Sequence, residues 1–279
     1  MKIIHSLHSI RRLLFSVRRN EKSIGFVPTM GALHHGHISL INRARIENDL
    51  VVTSIFVNPI QFGPQEDYTQ YPRNFRNDSR LCRKNGVDFL FYPSAQDIYR
   101  KGHKTFIKVA GLGDSLCGEF RPGHFQGVAT IVTKLLNIIQ PDKVYFGQKD
   151  AQQAVIIKKM VEDLNIPVKI KVMPTVREKD GLAVSSRNVY LNSKQRKSAA
   201  VLYQALVCAA NLIKAKERNL SYIRRAMIDV IGRNARVQYI AFVDNRNLQP
   251  VKKAKGRVLI ALSAFLGRVR LIDNIVVNA

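Results

Sequence analysis

The segment Pro28-Thr-Met-Gly-Ala-Leu-His-His-Gly-His37 sets His34 and His37 three residues apart, where an apolar strand gives way to a helix. At that spacing two imidazoles project from one face of the first helical turn. The backbone N–H groups there have no partner within the helix, so rings and amides together make a donor cluster suited to phosphate oxygens. The helix dipole disfavours imidazolium by about 0.3–1 kcal/mol and keeps both rings neutral near pH 7. Gly31 and Gly36 let the backbone approach a nucleotide closely, whereas His35 points elsewhere. Neither G-x-x-x-x-G-K-[ST] nor G-x-G-x-x-G occurs, so any phosphate chemistry here is not that of a Walker or dinucleotide loop.

Three further stretches carry polar groups at expected strand ends and boundaries. Phe56-Val-Asn-Pro-Ile-Gln-Phe-Gly-Pro-Gln-Glu-Asp67, continuing to Tyr71-Pro-Arg73, leaves the C-terminal end of an apolar strand, where open α/β sheets bind ligands. Its Asn58 and Gln61 offer neutral amides, which hold a hydroxyl or carboxylate without neutralising a nucleophile; loop capping is the plainer alternative. Leu116-Cys-Gly-Glu-Phe-Arg-Pro-Gly-His-Phe-Gln-Gly127 precedes a long helix, and Phe146-Gly-Gln-Lys-Asp-Ala-Gln-Gln153 follows the next strand. Lys149 suits a triphosphate and Asp150 a Mg²⁺ ion or a ribose hydroxyl, although a Lys-Asp pair is commonly a surface ion pair. Gln153 follows Lys149 by one helical turn. In Pro174-Thr-Val-Arg-Glu-Lys-Asp-Gly-Leu-Ala-Val-Ser-Ser-Arg-Asn188, Arg177 and Arg187 flank Ser185 and Ser186. Hydroxyls and guanidinium groups clamp phosphates, and a mobile loop of this kind makes a lid; an ordinary interdomain linker is the alternative.

The elements that must position these groups alternate. Strands are expected at 23–28, 50–58, 87–92, 143–147 and 168–173, with helices at 35–48, 74–85, 123–139 and 151–164 between them. Such βαβ alternation with near-continuous apolar strands predicts a parallel sheet covered on both faces. Ile10, Leu13, Leu14 and Val17 predict a helix before the first strand, with Ser9 as its cap; this reading is preferred to a transit peptide. Beyond Pro174 the pattern changes to helices at 193–216 and 221–234, then strands at 238–243, 257–265 and 269–277. The expected organisation is therefore α/β: a Rossmann-like first domain over 1–175 and a smaller α+β lid domain over 176–279.

With 279 residues and 46% hydrophobic composition, the chain can build a sizeable core and is not disordered. Three scattered cysteines, Cys82, Cys117 and Cys208, argue against a disulfide framework or zinc ribbon and predict reduced thiols in a cytoplasmic protein. No apolar run approaches the roughly 18–20 residues of a membrane span. The net charge is +25, and residues 176–279, with 20 basic and 6 acidic side chains, carry more than their share. Such a charge attracts polyanions. Yet no RNP motif, zinc-finger spacing or basic zipper supports a specific nucleic-acid partner.

The histidine segment resembles the signature of the nucleotidyltransferase superfamily, which includes class I aminoacyl-tRNA synthetases, and the Ser-Ser-Arg loop resembles its second signature. Taken in order, PTMGALHHGH, SIFVNPIQFGPQEDYTQYPR, CGEFRPGHFQGV, FGQKDAQQ and TVREKDGLAVSSRN are similar to the motifs of the pantoate–β-alanine ligase family, and the terminal RLIDNI fits as well. Val184 replaces a usual Met and Gln148 a common Glu, changes expected to alter nucleotide packing rather than chemistry. The resemblance implies a homodimer that uses ATP with Mg²⁺, and pantoate and β-alanine as substrates, through a pantoyl adenylate. It implies catalytic roles for His34, His37, Lys149 and Arg187, with His37 as the proton donor. It implies an ATP site from Met30, Gly31, Ala32, Leu33, His34, His35, Gly36, His37, Gly147, Gln148, Lys149, Asp150, Val176, Val184, Ser185, Ser186 and Arg187. Gln61 and Gln153, with Asn58, would bind pantoate, Gln61 would border the β-alanine position, and Asp150 would meet the metal. Two readings from other classes stay beside it: an adenylate-forming enzyme for a different carboxylic acid, and a basic nucleic-acid-binding protein.

Overall fold

Strand β1 (Lys2–Ile4) starts the chain, and α1 (Leu7–Arg19), β2 (Ile24–Thr29), α2 (His35–Glu47) and β3 (Leu50–Ile55) follow. Next come α3 (Phe75–Lys84), β4 (Phe89–Phe91), α4 (Ala95–Ile98), α5 (His124–Ile139), β5 (Lys143–Gly147), α6 (Ala151–Asp163) and β6 (Lys169–Met173). The remainder is α7 (Ser193–Ser198), α8 (Val201–Lys214), α9 (Leu220–Ile231), β7 (Arg236–Asp244), β8 (Arg257–Leu266) and β9 (Val269–Asn278). This computed structural model describes residues 1–64 and 66–279. The chain divides into two compact units, 1–147 with 156–173, and 148–155 with 174–279.

In the first unit, six parallel strands run in the order β1-β4-β3-β2-β5-β6. Side chains alternate across this sheet, as the pleat requires. Phe26, Val52, Phe91 and Val144 join Ile10 and Leu14 of α1 and Leu136 and Ile139 of α5 on one face. Their sequence neighbours Val27, Val51, Leu90 and Tyr145 meet Ile41 and Ala44 of α2 and Cys82 of α3 on the other. Full burial of each large side chain contributes about 1.5–3 kcal/mol, so a one-residue slip in register would forfeit both layers at once. From β2 the chain builds outward through β3 and β4 on one side, and later through β5 and β6 on the other. The order therefore reverses between β2 and β5, and the carboxyl ends of these two strands flank the topological switch point of the sheet.

The ends of elements depart from the sequence reading for local reasons. Ser6, not Ser9, caps α1: its hydroxyl accepts from the Ser9 N–H at 3.4 Å. The edge strand β1 was not anticipated, since three residues are too few to show periodicity. The single helix expected at 193–216 is two, because Leu202 and Tyr203 donate to Ala199 and Ala200 in tight i→i+3 bonds between α7 and α8. Helix α9 stops at Ile231 because Gly232 follows with φ 52°.

The second unit packs α8 and α9 against the antiparallel sheet β7-β8-β9, with Leu202, Leu206, Met227, Phe242, Ile260 and Leu262 in its core. Residues 148–155 belong with this unit rather than with 1–175, because Asn274 of β9 holds their first turn. A two-residue hairpin at Gly267-Arg268 sets the register that pairs Leu262 with Asp273 and Ala261 with Asn274. No helix among the described residues is long and apolar enough to cross a membrane.

Candidate active site

The chain leaving β2 turns sharply through Gly31 (φ 82°) and Ala32 (φ 49°) before α2 begins. Asp78, on α3 and only 1% exposed, holds this turn: its carboxylate accepts from the Ala32 N–H at 2.9 Å and the Leu33 N–H at 2.8 Å. Burial raises the Asp78 carboxyl above its ordinary value, and the two backbone donors oppose that rise. Sequence reading missed Asp78; the sole signal was an acid at an apolar helical position.

Helix α2 opens with two histidines in a reciprocal cap. The Gly36 N–H donates to His34 Nδ1 at 3.2 Å, and the His34 N–H donates to His37 Nδ1 at 3.3 Å. A nitrogen that accepts carries no proton, so this network assigns both rings as neutral with the hydrogen on Nε2. The rings lie 4.0 Å apart at 33°, as the three-residue spacing predicts. His35, between them, is exposed.

Asn58 and Gln61 have unequal positions. Asn58 is 1% exposed, and its Nδ2 donates to Gln61 Oε1 at 3.0 Å and to the Gly127 carbonyl at 3.1 Å. Its Oδ1 accepts from the Tyr99 hydroxyl at 2.8 Å, a phenol whose pKa burial pushes up. Asn58 thus has protein partners on both ends of its amide, and it orients Gln61. With Gln61 Oε1 occupied, Nε2 faces the other way, 2.9 Å from Met30 Sδ in the β2–α2 turn. Gln61 thus presents an N–H donor, the group that suits a hydroxyl or carboxylate oxygen.

In the second unit, Gln148–Asp150 form one 3₁₀ turn directly after Gly147, the last residue of β5. Lys149 is half-buried and 3.8 Å from the more exposed Asp150 carboxylate, and Gln153 follows half-buried on α6. Asn274 Nδ2 donates to the carbonyls of Gln148 and Lys149, and Asn274 Oδ1 accepts from Gln148 Nε2.

The 174–188 segment is folded rather than linker-like. Val184 donates to the Val176 carbonyl at 3.0 Å, Arg177 pairs with Ala183, and Gly181 at φ 92° sits against Tyr203. Arg177 does not stand ready to clamp phosphates. Its guanidinium is bidentate to Asp273 at 2.6 and 3.0 Å, donates to the Gly181 carbonyl, and stacks 3.9 Å over Tyr203. Ser185 Oγ accepts from the Arg187 N–H at 3.3 Å, capping the turn Ser186–Tyr190 and setting Ser185, Ser186 and Arg187 in succession at its start. Asp273 and Asn274 were visible in the sequence only as part of RLIDNI, without a role.

Comparison with known proteins fits this arrangement. A family model described as pantoate-beta-alanine ligase matches residues 2–276. The chain is similar to the pantothenate synthetases of Caldicellulosiruptor saccharolyticus (52% identical) and Caldicellulosiruptor bescii (50% identical), in each case over all of both chains. Among solved structures, pantothenate synthetase from Thermus thermophilus superposes with a TM-score of 0.95 at 41% identity over the whole of both chains. The Francisella tularensis pantoate-beta-alanine ligase, complexed with beta-gamma ATP and beta-alanine, does so with a TM-score of 0.82 at 39% identity, over 99% of this chain and 97% of that one. With a family model matched over residues 2–276 and a relative 52% identical over the whole of both chains, the chain belongs to the pantoate–β-alanine ligase family.

Proposed function

We propose that this enzyme condenses (R)-pantoate with β-alanine in two steps. The pantoate carboxylate attacks the α-phosphate of ATP, giving pantoyl adenylate and pyrophosphate. The amine of β-alanine then attacks the activated acyl carbon, giving pantothenate and AMP. The observation that carries this reading is the reciprocal histidine cap beside the switch point, with both Nε2 atoms protonated while the backbone donors occupy Nδ1. The Francisella relative, complexed with beta-gamma ATP and beta-alanine, supports the same two ligands here.

In this reading His34 and His37 hold phosphate oxygens as charge moves to the leaving pyrophosphate, stabilisation that speeds the step only if it strengthens in the transition state. By family resemblance His37 is the proton donor: its Nε2–H hydrogen-bonds the leaving pyrophosphate, and transfer of that proton requires Nδ1 to take up a proton first, so that a neutral imidazole remains. Lys149 neutralises phosphate charge, and Ser185, Ser186 and Arg187 supply hydroxyls and a guanidinium to the same anion. The backbone of Met30–His37 and of Gly147–Asp150, with Val176 and Val184, completes the ATP site. Gln61 Nε2 and Gln153 hold pantoate, and Gln61 borders the place of β-alanine. No side chain acts as a covalent nucleophile, because the substrate carboxylate does.

Among the described residues no group of three or more His, Cys, Asp or Glu could hold a metal. Asp150, a half-exposed hard oxygen donor, would be the residue to meet a Mg²⁺ brought with ATP. When bound, Mg²⁺ supplies charge neutralisation on those phosphates. By family resemblance the enzyme works as a cytoplasmic homodimer, which light scattering on the purified protein tests.

The deciding experiment is ATP–pyrophosphate exchange with Mg²⁺ and pantoate, without β-alanine. Pantoate-dependent exchange supports the adenylate. Exchange with another carboxylic acid instead keeps the chemistry and discards the substrate, and no exchange with any acid, in folded protein, sinks the proposal.

A further inference from the structure

One chain of interactions runs from a charged pair to the backbone of Gln61. The Glu66 carboxylate takes a bidentate grip on Arg121, Oε1 from Nε and Oε2 from Nη2, both at 2.6 Å. Both side chains are largely shielded, with 12% of Arg121 and 23% of Glu66 exposed. Burial works against the Glu66 carboxylate, but the hydrogen bonds and charge of Arg121 outweigh it and keep the group ionised. Arg121 Nη1 lies 3.0 Å from His124 Nε2, and a guanidinium can only donate. Nε2 therefore accepts, so the ring proton is on Nδ1, which donates to the Gln61 carbonyl at 2.8 Å.

The other side of Gln61 is equally constrained. Helix α5 approaches so closely that a Cβ on Gly127 would lie 2.5 Å from the Ile60 carbonyl oxygen and 2.7 Å from Gln61 Cα. Asn58 bridges the Gln61 side chain to the Gly127 carbonyl. The side-chain amide is thus oriented by Asn58, and the backbone that carries it is held by His124. The Glu66–Arg121 pair fixes the tautomer in which His124 can do so.

We propose that Glu66, Arg121 and His124 are positioning residues that act through Gln61 to set the affinity for pantoate. This rests on the reading of Gln61 as a pantoate ligand. It assigns work to the Arg-Pro-Gly-His segment, for which sequence reasoning had none. A buried ion pair is a poor source of net stability, since desolvation offsets its attraction, so its worth here lies in the geometry it imposes.

The test measures KM for pantoate, KM for ATP and kcat in His124→Phe, Glu66→Gln and His124→Asn, with thermal melts to show folding. Loss of the Nδ1 donor in His124→Phe should raise KM for pantoate about tenfold, the size expected for one lost hydrogen bond, with KM for ATP unchanged. Glu66→Gln, which keeps shape and loses the charged grip, should raise it in the same direction by a smaller factor. His124→Asn, whose amide stands near the Nδ1 position, should restore most of the affinity. In a cycle with Gln61→Ala, adding His124→Phe should cost little more, because both act on one contact. If Gln61→Ala raises KM for pantoate while His124→Phe and Glu66→Gln leave it unchanged, the positioning proposal is overturned and the role of Gln61 stands. If Gln61→Ala itself leaves KM unchanged, the reading of Gln61 falls and takes the proposal with it. Equal rises in both KM values, or no rescue by Asn, would mean a general structural defect and would also overturn it.

Discussion

Asn274 Nδ2 donates to the backbone carbonyl of Lys149 at 2.8 Å, across 125 positions of sequence. Asn274 is 4% exposed, and its amide also binds both the carbonyl and the side chain of Gln148, so one residue fixes the turn that carries Lys149 and Asp150. Its neighbour Asp273 does the same for the Ser-Ser-Arg hairpin by way of Arg177. Asn274→Ala removes three hydrogen bonds to half-buried groups of this turn, at about 0.5–1.5 kcal/mol each. We expect KM for ATP to rise and the melting temperature to fall. Asn274→Asp should be worse, because it sets a carboxylate against two carbonyl oxygens. A variant with unchanged KM for ATP would show that the turn holds without this contact.

His37 combines two roles that substitutions can separate. Its Nδ1 caps α2, and loss of a cap costs about 0.5–2 kcal/mol of stability. Its Nε2–H is the proposed proton donor, and general acid catalysis contributes about 10²–10⁴-fold. His37→Ala should therefore lose at least about 10²-fold in turnover as well as stability. His37→Asn, whose Oδ1 can still accept from the His34 N–H, should recover the stability and not the turnover. Near-normal turnover in either variant would remove the proton-donor role.

The sequence made the scaffold legible because the scaffold repeats. Strand β5 falls at 143–147 as expected, since a run of apolar residues ends at a glycine before a Lys-Asp pair. The histidine turn was legible from spacing alone, because three residues at a helix start leave two rings on one face. Asp78, Tyr99 and His124 were not legible as partners of the site. Each reaches it from a separate element, and the pairings that matter span 46, 41 and 63 positions. Arg177 misled for the same reason: its nearness to Ser185 in sequence suggested phosphate, whereas its partner Asp273 lies 96 positions away. Hydrophobic periodicity reports which face is buried, and it is silent on which buried polar atoms meet.

Asn58 and Gln61 should respond differently to truncation. Gln61→Ala removes the proposed donor itself, so KM for pantoate should rise and ATP binding should stay near normal. Asn58→Ala leaves Tyr99, Gly127 and Gln61 each short of a buried partner, so it should lower stability by about 1–3 kcal/mol as well as weaken pantoate binding. Isothermal titration with pantoate, paired with chemical denaturation, separates the two. An Asn58→Ala protein of normal stability and normal pantoate affinity would contradict the bridging geometry.

Asp78 gives a prediction with a definite sign against pH. Asp78→Asn replaces one acceptor by an NH₂ group facing a backbone N–H, so the turn at Ala32–Leu33 should loosen and KM for ATP should rise. Stability near neutral pH should reflect two opposed effects: a broken hydrogen bond, about 1–3 kcal/mol, against relief from burying a charge. The pH dependence isolates the second. Because burial holds the folded-state pKa above the ordinary 3.8, the folded protein keeps this proton to a higher pH than the unfolded chain does. The contribution of Asp78 is then most favourable below 3.8, where both states are protonated, and is lost as pH rises through the folded-state value. Unfolding free energies of the parent minus those of Asp78→Asn, measured by denaturant titration in steps upward from about pH 3.5, should therefore decline with pH and level off once the folded carboxyl is ionised. A difference that rises with pH would mean that the two backbone donors outweigh burial and that the folded carboxyl is held below 3.8 instead.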